Sequence, residues 1–164
     1  MGLDMYLYRR EYVGGWEWKT VETDGREKAL YDNIIDYFGV DRVEASPHVY
    51  VDVCVAYWRK ANAVHGWFCA LDGGRDECQD ILVPRDKLIE LRDACDQVLK
   101  VPAGIRMEDE AAQVGLLPTR GFFFGSYELD EWYMEDLKLT VTQLDAILDS
   151  TKDAWVDFIY RASW

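Results

Sequence analysis

Between Val49 and Val55 every second residue is a valine: Val49, Val51, Val53 and Val55, with Tyr50, Asp52 and Cys54 between them. β-Branched side chains at period two suit a pleated surface, so the run predicts a strand with the valines on one face. Directly after it comes Tyr57 to Leu71, which holds two tryptophans, an arginine, a lysine, an asparagine and His65. Here Tyr57, Ala61, Val64, Phe68 and Leu71 recur at helical spacing, and about four turns of helix are expected, packed on the sheet by that stripe. The adjoining edge carries Trp58, Asn62, His65 and Cys69, where the lip of a pocket would lie.

The rest of the chain supplies partners for this strand and helix. Leu3, Met5 and Leu7 alternate with Asp4, Tyr6 and Tyr8, which predicts a first strand over Leu3 to Val13, broken by Gly14 and Gly15. Trp16-Glu17-Trp18 reads as a hairpin arm or a surface loop, and Leu30, Ile34 and Phe38 predict a helix over Glu27 to Phe38 that Gly39 ends. After the turn Asp72 to Asp76, Gln79 to Val83 can supply a short strand. Pro84 suits the first turn of a helix whose stripe is Leu88, Leu91, Cys95 and Val98. Val101 to Arg120 has room for one short helix, and Gly121 to Ser126 reads as a short strand or extended segment. Asp130 caps a long helix to about Leu148, with Met134, Leu137, Val141, Leu144 and Leu148 inward. Ala154 to Trp164 alternates as a closing strand, expected beside the first. The sum is an α+β fold, a mostly antiparallel sheet with about four packed helices, in a single domain over residues 1–164.

Charge narrows the function classes. Eighteen basic residues against 31 acidic ones leave a net charge of −13, whose field repels polyanions, so non-specific nucleic-acid binding and adhesion to an anionic membrane are not expected. The acidity serves solubility or docks a basic partner. No apolar run nears the ~20 residues that span a bilayer, and the start, Met-Gly-Leu-Asp-Met-Tyr, lacks the pattern of a secretory signal. Cys54, Cys69, Cys78 and Cys95 form no Cys-x-x-Cys pair, which reads as reduced thiols in a cytoplasmic protein.

Chemistry concentrates around His65. Trp58, Arg59, Lys60, Asn62 and His65 suit a planar anionic ligand, the indole stacking on a ring and the cations meeting phosphate or carboxylate, although a solvated helix face with one satisfied histidine accounts for the same residues. His65, Cys69 and Cys78 are conceivable zinc ligands, but no fourth ligand is evident and the spacing fits no common pattern; buried thiols are the plainer account, and no cofactor is expected. Asp4, Asp157 and Arg161 interrupt apolar strand patterns, either as an ion pair or as the floor of the pocket. The glycine-bracketed Phe122, Phe123 and Phe124 match neither a phosphate loop nor a dinucleotide fingerprint.

The opening Met1-Gly2-Leu3-Asp4-Met5-Tyr6-Leu7-Tyr8, the run Tyr57-Trp58-Arg59-Lys60-Ala61-Asn62 with His65 and Trp67-Phe68, the stretch from Leu116-Leu117-Pro118-Thr119 to Gly121-Phe122-Phe123-Phe124-Gly125-Ser126, Asp130-Glu131-Trp132-Tyr133 and the closing aromatic strand resemble a family of small bacteriophage- and prophage-encoded proteins of unassigned role. The resemblance implies a phage-borne protein of the bacterial cytoplasm and no catalytic residues; action against host defence is the analogy it suggests.

Two classes of function are therefore expected. The first is a phage accessory binding protein that sequesters a nucleotide-like ligand through Trp58, Arg59, Asn62 and His65, assisted by Tyr6, Tyr8 and Arg161, or that docks on a host protein through its acidic surface and Trp16, Trp18 and Trp132. The alternative is a small hydrolase or transferase acting on a nucleotide-like substrate, with His65 as general base.

Overall fold

Leu3, Met5 and Leu7 are buried while Asp4, Tyr6 and Tyr8 are half-buried, so the first strand turns its apolar side to a core as its alternation requires. The computed structural model of the chain describes residues 2–14, 25–40, 47–152 and 154–164. Among these the order is β1 (Asp4–Gly14), α1 (Gly25–Phe38), β2 (Val49–Arg59), α2 (Asn62–Leu71), β3 (Ile81–Val83), α3 (Arg85–Leu99), α4 (Met107–Gln113), α5 (Glu131–Ser150) and β4 (Asp157–Ser163). The fold is α+β: among the described residues, one four-stranded antiparallel sheet in the order β2-β1-β4-β3, with five packed helices. The closing strand lies beside the first, as its pattern suggested, and β3 pairs with it through Ile81↔Tyr160 and Val83↔Phe158.

The chain divides into two compact units, residues 10–53 and residues 1–9 with 54–164. In the smaller unit Arg10 grips Asp52 through a two-pronged ion pair at 2.6 Å, Tyr12 lies 5.2 Å from Tyr50 between ring centres, and the Tyr31 hydroxyl donates to Pro47 O at 3.0 Å. Gly14 has no room for a side chain there, because a Cβ would stand 2.9 Å from the Tyr31 ring.

The larger unit holds the continuous core. Leu3 just before β1, Met5 and Leu7 of β1, Trp58 of β2, and Phe158 and Tyr160 of β4 share it with Val64 and Phe68 of α2, Leu88 and Leu91 of α3, and Leu137 and Leu144 of α5. Asp130 caps α5 by accepting the Tyr133 N–H at 3.0 Å. The inward stripe of α5 is Tyr133, Leu137, Thr140, Leu144, Ile147 and Leu148, while Met134 and Val141 stand half out at its edge. At the other end, Arg85 on α3 donates to Leu148 O and to Thr151 Oγ1, both at 2.6 Å, which satisfies the last carbonyls of α5 with a cation at the negative end of its dipole.

Two expectations change. The predicted helix from Tyr57 does not begin there: β2 continues through Trp58 to Arg59, and α2 starts at Asn62. Between them Lys60 adopts φ +61° and Ala61 has φ −74° and ψ 67°, with Asn62 N–H donating to Lys60 O at 2.8 Å, an inverse γ-turn that redirects the chain within two residues. Alternation and helical spacing both fit Ala56 to Ala61, and pairing with β1, including Lys60 N–H to Leu3 O at 2.8 Å, decides for the strand. Nor is Gly121 to Ser126 a strand; it is a turn closed by Phe124 N–H to Gly121 O at 3.3 Å. A Cβ on Gly121 would come within 2.4 Å of the Phe124 ring, so the glycine is what lets that ring fold back into the core.

Candidate functional site

Helix α2 places His65 and Cys69 one turn apart on the same face. Beyond its end, Gly73 and Gly74 take φ +67° and +81°, a conformation that favours glycine, and Gly74 N–H returns to Cys69 O at 2.9 Å. The chain thereby doubles back over the helix terminus. Arg75 pairs with Asp72 at 2.7 Å, and Gln79 donates to Asp72 and to Arg75 O, which pins the loop and presents Asp76 to His65.

His65 is 1% exposed. Its Nε2 lies 3.0 Å from Asp76 Oδ1, its Nδ1 lies 2.7 Å from the Tyr160 hydroxyl, and Cys69 Sγ lies 3.6 Å from Nε2. Phe124, Trp164 and Tyr160 wall the imidazole with their rings, and Tyr160 is itself stacked on Phe68 at 4.0 Å and 13°. Burial pulls the imidazole pKa down and Asp76 opposes that shift. A neutral ring beside a carboxylate donates from Nε2 to Asp76, which leaves Nδ1 to accept from Tyr160. Tyr160 stays a phenol, because burial raises its pKa well above the ordinary value. Burial, aided by Asp76 and Asp72, also pushes the Cys69 thiol up to about 12, the opposite of what activates a cysteine nucleophile. Asp76, 31% exposed, is the side of the cluster that meets solvent.

A second feature lies elsewhere in the larger unit: a cavity of about 370 Å³ whose lining includes Arg59, Lys60, Asn62, Trp132 and Asp136. Asn62 spends its amide on Phe124 O and Ser126 O, at 3.0 and 2.7 Å, and so anchors the aromatic turn. The carboxylate of Asp136 has no hydrogen-bond partner among the described residues, and burial, followed by repulsion from Asp130, pushes it up to about 6. Trp132, 77% exposed, stands at the rim.

The residues expected to act together are thus dispersed. Arg59 and Asn62 line the cavity, and His65 belongs to the buried cluster. Trp58 is a correction: its indole is fully buried and donates to Thr140, so it has no face to offer a ligand. Tyr6 and Tyr8 lie along β1, the Tyr6 ring 5.3 Å from that of Tyr57 on β2, and neither lines the cavity or joins the cluster; Arg161 reaches over Tyr8 at 5.5 Å to pair with Asp80. Of the Asp4, Asp157 and Arg161 grouping, Asp4 accepts from the Tyr57 hydroxyl and Arg161 donates to Asp80. Cys78 is exposed and outside the cluster, where Asp76 takes the third position. Trp16 and Trp18 lie outside the described residues.

Asp76, Tyr160 and Asp136 were not singled out from the sequence. Asp76 sits in a stretch legible as a turn, and its signal was the Gly73-Gly74 pair that could fold a carboxylate back over His65 and Cys69. Tyr160 was legible as a buried strand position, where a phenol needs a polar partner. No helix among the described residues is long and apolar enough to cross a membrane. Comparison with protein-family models, with curated proteins and with solved structures finds no match to this chain.

Proposed function

We propose that this chain is a small hydrolase or transferase whose reaction centre is His65, with nucleotide-like compounds as the substrate class. One observation carries the reading: a buried imidazole is held at both nitrogens, by Asp76 and by Tyr160, next to a thiol, where the solvent-facing side is a carboxylate. Orientation of this kind is what a general base requires, since proton transfer depends on a fixed ring and a chosen tautomer. The substrate side is that of Asp76. When Asp76 swings off the ring, the ring proton exchanges through solvent from Nε2 to Nδ1, toward which the Tyr160 hydroxyl turns to accept, and the bare Nε2 lone pair then takes a proton from water or a substrate hydroxyl. The proton on Nε2 then returns to the leaving group.

The test is turnover of a panel of nucleoside phosphates and nucleotide esters, followed by mass spectrometry. His65→Gln and Asp76→Asn, both checked for folding by circular dichroism, should lower turnover, the former by about 10²- to 10⁴-fold. Equal turnover in His65→Gln, or none in the unaltered chain, overturns the reading.

The cavity beside Arg59 and Lys60 favours a second reading, a binding protein that sequesters a small anionic ligand, in keeping with an accessory role in a phage-infected cell. Native mass spectrometry with a bacterial nucleotide extract separates the two: a retained mass lost in Arg59→Ala, with no product formed, supports sequestration.

A further inference from the structure

We propose that His65 Nε2, Cys69 Sγ and a carboxylate oxygen of Asp76 form a binding site for one zinc-class divalent ion, with a fourth position left open toward solvent. The inference keeps the hydrolase reading's reaction centre but gives His65 another role in it, since an Nε2 that holds the ion has no lone pair left to act as base; it rests on that reading only for what the open position does.

The distances fit. Around a tetrahedral zinc with bonds of about 2.0 to 2.3 Å, a nitrogen and an oxygen ligand stand about 3.3 Å apart, and a nitrogen and a sulfur about 3.6 Å. Here Nε2 lies 3.0 Å from Asp76 Oδ1 and 3.6 Å from Cys69 Sγ, and all three ligand atoms fall within 4.8 Å of one another. The remaining edge, from Asp76 to Cys69, closes by rotation of the Asp76 side chain, which is partly in solvent.

The chemistry fits as well. Sulfur with imidazole selects a borderline-soft ion and disfavours magnesium and calcium, which take oxygen ligands. With Nε2 on the ion, Nδ1 carries the ring proton and donates it to the Tyr160 oxygen at 2.7 Å. A ligating histidine ordinarily has such an outer partner, which fixes its tautomer and ring orientation. Three protein ligands and one open position describe a catalytic zinc site, in which bound water becomes a nucleophile near neutral pH.

Tag-free full-length chain, stripped with a chelator and titrated with cobalt(II), tests the site. One cobalt per chain is expected, with a thiolate-to-cobalt charge-transfer absorption that zinc abolishes by displacement. Cys69→Ser should remove that absorption, Tyr160→Phe should weaken cobalt binding about 10- to 100-fold, and Cys54→Ser and Cys78→Ser should change nothing. Asp76→Asn, at a partly exposed position where the fold tolerates the change, should also weaken binding. No stoichiometric cobalt, an absorption that survives Cys69→Ser, or one lost in Cys78→Ser overturns the inference. Turnover undiminished in the stripped protein overturns the metal and leaves the hydrolase reading standing; tight cobalt without turnover of any substrate supports the metal and removes that reading.

Discussion

The indole Nε1 of Trp58 donates a 2.9 Å hydrogen bond to Thr140 Oγ1, joining β2 to α5 across 82 positions of sequence. Thr140 in turn donates to Asp136 O at 2.7 Å, so its oxygen is donor and acceptor at once and the buried pair is fully used.

Trp58→Phe should therefore cost about 2 kcal/mol, from one lost hydrogen bond and an unfilled volume beside Thr140. Urea unfolding followed by circular dichroism measures it. Ligand capture by the cavity should be unchanged, and a large loss of capture at unchanged stability would contradict the burial of this indole.

Gly121→Ala forces a Cβ against the Phe124 ring, which packs edge-on to His65 at 5.0 Å between ring centres. Overpacking of this kind costs about 1 to 3 kcal/mol. The shift should also disturb the imidazole, visible as displaced His65 ring resonances in an NMR spectrum; resonances that stay in place would contradict the contact.

Asp136 has its pKa raised from the ordinary 3.8 to about 6 in the folded chain. The folded state then binds the proton more tightly than the unfolded state does, so this group's contribution is most favourable below about pH 4 and is lost as pH rises through about 6. Asp136→Asn removes the loss. Allowing for screening of a partly exposed group, the variant should be more stable by roughly 1 kcal/mol at pH 7.5, with the gain vanishing near pH 4. Denaturant unfolding at the two pH values decides it, and an equal difference at both would contradict the assignment.

Thiol labelling of the native, metal-free chain should divide the cysteines by burial. Cys54 and Cys78 are exposed and should react promptly, whereas Cys69 and Cys95 are buried, with pKa values pushed up to about 12, and should react on unfolding. Mass mapping of the labelled peptides reads the order; early modification of Cys95 would be incompatible with its place in the core.

Periodicity made much of the fold legible. The alternation of Leu3, Met5 and Leu7 and of Phe158, Tyr160 and Ala162 marks two strands that pair, and Leu88, Leu91, Cys95 and Val98 mark the inner face of α3, because burial on one side leaves a repeat of 2 or 3.6 in the sequence itself. The strand-to-helix junction was not legible: Tyr57 and Trp58 satisfy both repeats, and hydrogen bonding to a distant strand chose between them. Asp130 as a helix cap was readable from local chemistry alone.

For the candidate site, the sequence by itself determined that His65 and Cys69 share a face, since one helical turn separates them. Tertiary structure decided which groups face the imidazole. Asp76 arrives by a glycine-mediated reversal and Tyr160 by strand pairing 95 residues away. Neither contact is encoded in a local repeat, because each depends on how separate elements pack and not on the rise or twist of any one of them.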